Sequence, residues 1–380
     1  MIKVLFFLTH LGGGGAEMHF VRLSHELRAH GIEPVFATTR GGGSYESLLP
    51  ADVDHHVLDT GSLSSGTVRL VRSVRPLARL IDEIRPDILC PVLSLTTLPA
   101  IMAAKRARHR PKIVLSIQNA LSAQLATTKR PFRDIQERLT RNLWREADGV
   151  VALSQGVADE LAAYFPFLRD RMEVVYNIGM PIASEMEKAK TAEIPLAPEG
   201  RKVAVACGRL TRQKDYPTMF RALAAIPAGE RPYLRILGKG ELEDDLKTLA
   251  NDLGLADDIE FLGFRKDVLA FMGKADMFVL SSAWEGFGNV IVEAMAMGTP
   301  VIATRCPHGP DEIITDGVDG MLVPVAQPRA LAEAWRGLLA DDAKRAAIGE
   351  KARSRAHDFA VDRIASEYAA AFKRFAGAQR

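Results

Sequence analysis

Short apolar runs alternate with helical periodicity along this chain, and that alternation restricts the fold more than any other sequence feature. The runs IKVLFFL and EPVFATT are typical of strands that are covered on both faces. Between residues 67 and 85, branched aliphatic residues recur at spacings of four and three, as on one face of a helix. Such alternation of strands and helices predicts parallel sheets that are flanked by helices.

The stretch from residue 179 to residue 201 interrupts this pattern. It is polar, carries three prolines and has no regular period, which is typical of a linker. The pattern resumes at residue 202, and 380 residues are enough for two domains. The sequence predicts an α/β fold of two doubly wound, Rossmann-like domains, 1–178 and 202–358, that face each other across a cleft. Such sheets bind ligands at the carboxyl ends of their strands.

Charge, cysteine spacing and hydropathy argue against a cysteine metal site, a membrane-spanning helix and a signal peptide. The net charge of +2 indicates no particular partner, and the three cysteines are too far apart for a metal site. Reduced, buried cysteines are typical of a cytoplasmic protein. No apolar run approaches the ~18 residues of a spanning helix, and the first apolar run fits a buried strand better than a signal peptide.

A glycine loop follows the first strand and precedes a helix, so we tested it as a dinucleotide site. The fingerprint G-x-G-x-x-G would require glycine at position 17, which is Glu17, and the second strand ends in two threonines without an acid. The loop remains suited to a phosphate or a sugar hydroxyl at the positive end of a helix. The alternative is a tight turn. The loop consists of Gly12, Gly13, Gly14 and Gly15.

Two cations follow the first strand of the second half. Arg209 comes directly after Gly208, and Lys214 lies five residues further on. Arginine binds phosphate oxygens in pairs and lysine adds a point charge, so this loop is suited to a diphosphate. The alternative is a solvated basic loop.

Two glutamates frame a glycine-rich helix start in the segment WEGFGNVIVEAMAMG. Glu285 precedes Gly286 and Gly288, and Glu293 lies about one turn into the helix that begins near Asn289. The unpaired N–H groups of such a helix start favour a phosphate. A nucleotide sugar has a diol on its ribose, further hydroxyls on its sugar, and phosphates between the two. One carboxylate for each of these hydroxyl groups would therefore suit such a ligand. The alternative is a pair of solvated acids.

At this point the chain resembles a known family over nearly its whole length. The spacing from Glu285 to Glu293 matches the E-x7-E motif of retaining GT-B glycosyltransferases of family four. The segments GRLTRQKDY, LGKGELEDDL and FLGFRKDV are similar to successive donor loops of that family. The E-x7-E spacing alone is a weak signal, whereas the ordered set of segments is highly specific.

The resemblance implies roles for these residues. Arg209 and Lys214 would hold the donor diphosphate, Glu293 would bind the ribose, and Glu285 would meet the sugar hydroxyls. The remaining donor contacts would come from loop residues, namely Gly208, Gly238, Gly263, Phe264, Arg265, Gly286, Phe287, Gly288 and Asn289. The catalytic set would be Glu285, Arg209 and Lys214. The glycine loop would close over the phosphates or the acceptor, and residues 359–380 would form a helix that crosses back to the first domain.

One position departs from the family pattern. Many relatives carry a histidine where this chain has Gln118 and Asn119, and neither amide is a general base. This fits the mechanism usually proposed for the family, in which the leaving phosphate takes the acceptor proton and no metal or other cofactor is needed. His10 would touch the acceptor, and His308 in the segment CPHGPDEI is a similar candidate. The GPDEII loop that follows His308 would contact the donor sugar. Either histidine could instead be structural.

Basic residues concentrate in the first half, which is the acceptor side in this family. Such a face attracts anionic lipid, which would suit a lipid-linked acceptor and a peripheral position at the cytoplasmic membrane. The alternative is an ordinary solvated helical face. A nucleic-acid-binding surface is not indicated, because no aromatic residues are interleaved with these charges. The residues are Arg69, Arg72, Arg79, Lys105, Arg106, Arg108, Arg110, Lys112, Lys129, Arg130, Arg133, Arg138, Arg141 and Arg145.

Taken together, the sequence predicts a retaining, metal-independent glycosyltransferase. It would move a hexose or an N-acetylhexosamine from a UDP-sugar to a growing, lipid-linked bacterial glycan. Two alternatives remain open at this stage. One is a nucleotide-sugar epimerase or hydrolase on the same fold, and the other is a non-catalytic nucleotide-sugar-binding subunit.

Overall fold

The computed structural model describes residues 1–12, 14–61, 66–120 and 132–377. The chain divides into two compact units. Unit 1 consists of Met1–Ile178 and Val361–Arg380, and unit 2 consists of Gly179–Ala360. The predicted domain limits were 178, 201 and 358, and the first of these coincides with the end of the first segment of unit 1.

Unit 1 contains a seven-stranded parallel sheet in the order β3-β2-β1-β4-β5-β6-β7. Its buried strands are rich in branched and aromatic residues, as expected of a sheet covered on both faces. Because β1 lies between β2 and β4, the strand order reverses at β1, and the glycine loop leaves the sheet there. The strands are β1 Ile2–Leu8, β2 Ile32–Thr38, β3 His55–Val57, β4 Ile88–Pro91, β5 Lys112–Ile117, β6 Gly149–Ala152 and β7 Met172–Val174.

The helices of unit 1 include the last helix of the chain. That helix buries Tyr368 and Phe372 in the core, where the Phe372 ring lies 5.9 Å from the ring of Phe6 in β1. The helices of this unit are α1 Gly15–Glu26, α2 Gly66–Ile84, α3 Ser94–Arg106, α4 Phe132–Trp144, α5 Gln155–Tyr164 and, after the residues of unit 2, α14 Val361–Gly377.

Unit 2 contains a six-stranded parallel sheet in the order β10-β9-β8-β11-β12-β13. Its strand order reverses at β8, which lies between β9 and β11. The carboxyl end of β8 is therefore where a doubly wound sheet is expected to bind a ligand. The strands are β8 Val203–Cys207, β9 Tyr233–Leu237, β10 Ile259–Gly263, β11 Met277–Leu280, β12 Val301–Thr304 and β13 Met321–Val323.

Eight helices described in unit 2 surround this sheet. The first of them, Ala183–Thr191, lies within the stretch that the sequence analysis assigned to a linker, and that assignment is corrected here. Glu185 accepts a hydrogen bond from the Ile182 N–H at the start of this helix (3.1 Å). Ala189 is its only buried residue, so the helix has no apolar period to detect. The helices are α6 Ala183–Thr191, α7 Tyr216–Ala225, α8 Glu243–Asp252, α9 Val268–Gly273, α10 Asn289–Ala296, α11 Pro310–Ile313, α12 Pro328–Leu339 and α13 Asp342–Ala356.

Within the described ranges, no helix combines the length and the apolar character needed to cross a membrane.

Candidate functional site

The loops after β8 and β9 pack backbone against backbone at the carboxyl edge of the unit 2 sheet. Gly208 and Gly238 have φ angles of +155° and +147°. A Cβ atom on Gly238 would lie 2.0 Å from the Gly208 carbonyl oxygen, so only glycine fits there. The Gly208 N–H donates to the Leu237 carbonyl oxygen (3.0 Å). These two glycines therefore allow the close backbone packing that positions the β8 loop and its cations.

Lys214 is held by contacts of its backbone with the loop after β11. The Ser281 hydroxyl donates to the carbonyl oxygens of Lys214 and Asp215, at 2.8 and 2.9 Å. Asp215 then caps α7, since its carboxylate accepts from the Thr218 N–H (3.4 Å) and also from the Thr218 hydroxyl (2.6 Å). The Lys214 stem crosses over Gly208, where an added Cβ would lie 2.8 Å from Lys214 Cε. The ammonium group is thus directed toward the β11 loop.

The Glu285 carboxylate is the centre of the site, and its side chain is 7% exposed. Its Oε1 atom lies 2.6 Å from Lys214 Nζ and 2.6 Å from Ser282 Oγ. Among the residues that the structure describes, the one contact of its Oε2 atom is a long one, 3.4 Å, with Gln213 Nε2. Charge-assisted hydrogen bonds of this kind are short and strong. Lys214 and Glu285, which were assigned to different parts of a ligand from the sequence, are therefore direct partners. Ser282 and Gln213, which were not predicted, contact the same carboxylate.

Arg209 differs from Lys214 in being exposed. In the part of the chain that the structure describes, no group forms a hydrogen bond or ion pair with the Arg209 guanidinium. The Arg209 side chain is therefore an available cation at the tip of β8, beside a lysine that is already paired.

The glycine-rich segment before α10 packs closely against the loop after β12. Gly288 has a φ angle of +101° and starts the helix, while Phe287 is buried with its ring 5.4 Å from that of Phe359. A Cβ atom on Gly309 would lie 2.0 Å from the Phe287 carbonyl oxygen. The first N–H groups of α10 are consequently held in a fixed position. The buried Asn289 Oδ1 atom has no hydrogen-bond partner among the described groups.

Glu293 lies close to the tip of β8. Burial raises the pKa of the Cys207 thiol to about 12, and the negative charge of Glu293 contributes to that rise, while Lys214 opposes it. Glu293 itself is half-buried in α10. Two carboxylates, a paired lysine and an available arginine therefore surround the end of one strand.

An exposed aromatic side chain extends this group of residues toward β10. Phe264 follows that strand and is 69% exposed, which is unusual for phenylalanine. The neighbouring Arg265 is paired with Asp267 at 2.6 Å. The Gly263 carbonyl oxygen accepts from the Gly238 N–H (2.8 Å), so the β9 and β10 loops are joined. An exposed ring at a row of strand ends is suited to stacking on a flat ligand group.

In unit 1, Gly12, Gly14 and Gly15 of the glycine loop are described, whereas Gly13 lies outside the described residues. A Cβ atom on Gly14 would lie 2.0 Å from Glu17 Oε2, and Glu17 is buried under the loop. His10 contacts Thr9, with 3.3 Å between Nδ1 and the hydroxyl oxygen. A side chain at position 14 would therefore have to displace the Glu17 carboxylate, while the backbone there has an ordinary φ angle of −113°.

Gln118 and Asn119 have different environments. Gln118 is buried and donates to the Ser116 hydroxyl (2.9 Å), and its Oε1 atom has no partner among the described groups, whereas Asn119 is exposed. Sequence reasoning missed the nearby His19, which is fully buried and accepts the Ile178 N–H at Nδ1 (3.0 Å). Burial, assisted by the charge of Arg22, lowers the pKa of His19 to about 3, so it is neutral.

The basic residues of unit 1 are only partly available. Arg72 and Arg79 on α2 are exposed, while Lys105 pairs with Glu146 (2.9 Å) and Lys112 with Asp148 (3.3 Å). Lys129, Arg130 and the side chain of Arg133 lie outside the described residues. His308 in the loop before α11 is half-buried with a φ angle of +67°. Among the described residues, no cluster of histidine, cysteine and acidic side chains could hold a metal ion.

Two family models match the chain. The model described as Glycosyltransferase Family 4 matches residues 13–178, and the model described as Glycosyl transferases group 1 matches residues 187–355.

Curated relatives span different lengths of the chain. The lipopolysaccharide core biosynthesis glycosyltransferase LpsE of Rhizobium meliloti is 28% identical over 375 residues, which is 96% of each chain. A Campylobacter jejuni enzyme is 28% identical over 257 residues, 67% of this chain and 68% of its own. Its name is N-acetylgalactosamine-N,N'-diacetylbacillosaminyl-diphospho-undecaprenol 4-alpha-N-acetylgalactosaminyltransferase.

Solved structures show the same architecture. HepE of Anabaena in complex with UDP-glucose superposes with a TM-score of 0.80 at 24% identity, covering 98% of this chain and 100% of HepE. The sucrose-phosphate synthase of Thermosynechococcus elongatus superposes with a TM-score of 0.80 at 19% identity, covering 98% of this chain and 99% of its own. These similarities confirm the predicted pair of Rossmann-like domains, the GT-B fold.

Proposed function

We propose a specific reaction for this chain, which belongs to the glycosyltransferases and carries a Family 4 domain followed by a group 1 domain. It moves a hexose or an N-acetylhexosamine from a UDP-sugar to a growing bacterial glycan with retention of the anomeric configuration. The observation that carries this proposal is the Lys214–Glu285–Ser282 cluster, which lies beside the glycine-fronted start of α10.

In this proposal the donor diphosphate binds at the tip of β8. Arg209 supplies an available guanidinium, and Lys214 supplies a second cation that Glu285 orients. The first N–H groups of α10 add hydrogen bonds and the positive end of the helix dipole. Donors that are fixed before the ligand arrives stabilise the charge that develops on the leaving phosphate.

The two carboxylates would bind the two polyols of the donor. Glu285 Oε1 is occupied by Lys214 and Ser282. Within the described part of the chain Oε2 makes only the long Gln213 contact, so it can accept a hydrogen bond from the transferred sugar. Glu293 would accept from the ribose hydroxyls. Phe264 would stack on the base, since its ring is exposed beside the joined β9 and β10 loops.

The reaction needs no protein nucleophile. The bond between the sugar C1 and the diphosphate oxygen breaks, the acceptor oxygen bonds to C1 on the same face, and the acceptor proton moves to the departing phosphate. This fits unit 1, where Gln118 and Asn119 stand in place of a basic side chain. Arg209, Lys214 and the start of α10 would stabilise the departing diphosphate without a metal ion.

The acceptor is proposed from the relatives. LpsE is named for lipopolysaccharide core biosynthesis, and the Campylobacter enzyme is named for a diphospho-undecaprenol acceptor. HepE was solved with UDP and with UDP-glucose, which supports UDP as the carrier of the sugar. We therefore assign this chain to surface polysaccharide synthesis on a lipid-linked acceptor, at the cytoplasmic face of a membrane that its cationic helices attract.

A donor screen followed by a transfer assay tests the proposal. Thermal shifts with UDP-, GDP- and ADP-sugars identify the donor. The labelled donor is then incubated with lipid-linked glycans from bacterial membranes. We expect label in the lipid fraction, one UDP released per sugar transferred, and transfer by Glu285→Gln that is lowered about a hundredfold. Equal UDP release with and without acceptor would contradict the proposal and indicate a hydrolase. An altered sugar on an intact donor would indicate an epimerase.

A further inference from the structure

An apolar groove of about 380 Å3 lies on unit 1 between α2, α3 and α4. Its lining includes Leu70 and Val71 on α2, then Leu95, Leu98 and Met102 on α3, with Trp144 of α4 also in the wall. The donor site described above uses none of these residues, because all its donor-binding residues belong to unit 2.

The apolar side chains of this groove are unusually exposed. Val71 is 67% exposed, Leu95 59% and Met102 40%. Single exposed apolar residues are ordinary on protein surfaces, but several around one groove mark a binding surface. A ligand that covered them would gain about 25 cal/mol for each Å2 of apolar surface removed from water. The volume and the apolar lining of the groove therefore suit a hydrocarbon chain.

Cations without acidic partners accompany the groove. Arg72 and Arg75 follow Val71 on α2, and Arg106 lies one turn beyond Met102 on α3. Among the residues that the structure describes, none forms an ion pair with these three arginines. The α3 sequence SLTTLPAIMAAKR contains no acid at all, and neither does the first three-quarters of α2. This charge is complementary to an anionic group at the end of an apolar chain.

The groove also begins at the edge of the sheet where unit 1 would receive an acceptor. Helix α3 starts at Ser94, just after β4, and β4 is hydrogen-bonded along β1, which leads into the glycine loop. Both segments leave the carboxyl edge of the same sheet. A chain lying in the groove could therefore place its polar end toward the loop that follows β1.

We propose that this groove binds the hydrocarbon chain of a phosphate-bearing lipid, and that this lipid carries the acceptor glycan. The inference rests on the proposed function for the second part only, because binding of the lipid can be measured without sugar transfer. The occupant is a single isoprenoid or acyl segment, whose phosphate is met by Arg72 and Arg75 in the first half of α2.

Methyl-labelled protein and soluble amphiphiles test the binding. Dodecyl phosphate, dodecyl maltoside and inorganic phosphate are titrated below the concentrations at which the amphiphiles form micelles. We expect dodecyl phosphate to shift the methyl signals of Val71, Leu95 and Met102, and to bind at least about fivefold more tightly than dodecyl maltoside. Absence of these shifts, equal affinity for the neutral amphiphile, or binding of dodecyl phosphate at other methyl groups would overturn the proposal.

A matched pair of variants separates this groove from general surface effects. Leu95→Glu places a charge in the groove, whereas Leu196→Glu makes the same change at a residue in unit 2 that is 96% exposed. We expect Leu95→Glu to weaken dodecyl phosphate binding about tenfold or more, with UDP binding unchanged, and Leu196→Glu to alter neither. Val71→Glu repeats the test on α2. Wild-type affinity in both groove variants would overturn the assignment.

The outcomes distinguish this inference from the proposed function. If dodecyl phosphate binds in the groove but no sugar reaches a lipid-linked glycan, the groove stands and the proposed transfer fails. If transfer occurs and Leu95→Glu leaves both lipid binding and transfer unchanged, the groove assignment fails and the transferase remains.

Discussion

Replacing Lys214 by methionine tests whether the cation of the β8 loop serves the donor diphosphate. Methionine keeps most of the aliphatic stem that crosses Gly208, so the loop can keep its packing while the charge is lost. In the structure the ammonium group is 2.6 Å from Glu285 Oε1. The phosphate must therefore share this lysine with a carboxylate, and the two substitutions Lys214→Met and Glu285→Gln are expected to act in opposite directions on UDP binding.

The magnitudes follow from the contacts. A hydrogen bond to a charged group contributes about 1.5–3 kcal/mol, and each 1.4 kcal/mol is a factor of ten in affinity. Lys214→Met should therefore weaken UDP binding roughly ten- to hundredfold. Glu285→Gln removes a negative charge from beside the diphosphate and releases the lysine, so it should tighten UDP binding a few fold. It should nevertheless lower turnover about a hundredfold, as loss of one oriented transition-state contact does.

Titration calorimetry with UDP measures both effects. Lys344→Met on α13 is the matched control because Lys344 is exposed and the start of α13 pairs with residues at the amino ends of β8 and β11, opposite the donor site. UDP affinity of Lys214→Met within twofold of the wild type would refute the role of this lysine. Weaker UDP binding by Glu285→Gln would refute the competition between carboxylate and phosphate.

Three further predictions follow from the same structure. Phe264→Ala should weaken UDP binding by about 1–3 kcal/mol through lost stacking on the base. The free energy of unfolding should stay within about 0.5 kcal/mol of the wild type because the ring is largely exposed. Unchanged UDP affinity in calorimetry would exclude a base contact. Below pH 6.5 the unfolded chain protonates His19 and the folded chain does not until about pH 3, so stability should fall by about 1.4 kcal/mol per pH unit. His19→Asn keeps an acceptor for the Ile178 N–H and should reduce this dependence in urea unfolding at pH 5.5 and 7.5, and equal losses in the two proteins would show that His19 is not responsible. Because burial raises the pKa of Cys207 and Cys306 to about 12, the native protein should react slowly with a thiol reagent at pH 8 and rapidly in guanidinium chloride; fast native reaction at either cysteine would contradict the described burial.

Much of the fold was predictable because its causes are local. Many of the apolar runs are followed by a helix whose buried face repeats every three or four residues, and this recurring pattern predicts parallel sheets. Helix Ala183–Thr191 escaped prediction since a helix that buries one alanine leaves no periodic signal.

The candidate site was predictable in its members but not in its contacts. Lys214 and Glu285 stand out as charges beside glycines at strand ends. Their ion pair joins residues 71 positions apart, and its geometry depends on Ser281 and Ser282, whose hydroxyls fix a backbone and a carboxylate. The role of His19 likewise depends on Ile178, 159 positions away. Contacts of that range arise from the folded sheet, so a local sequence pattern does not contain them.

The central claim is that a sugar nucleotide binds at the tip of β8, with its diphosphate at Arg209, Lys214 and the first N–H groups of α10. A crystal structure of the protein with its UDP-sugar donor tests this most directly. The account predicts phosphate oxygens within hydrogen-bonding distance of both cations and of the backbone around Gly288, with a sugar hydroxyl on Glu285 Oε2. A donor bound at any other strand end, with Lys214 still paired only to Glu285, would contradict it.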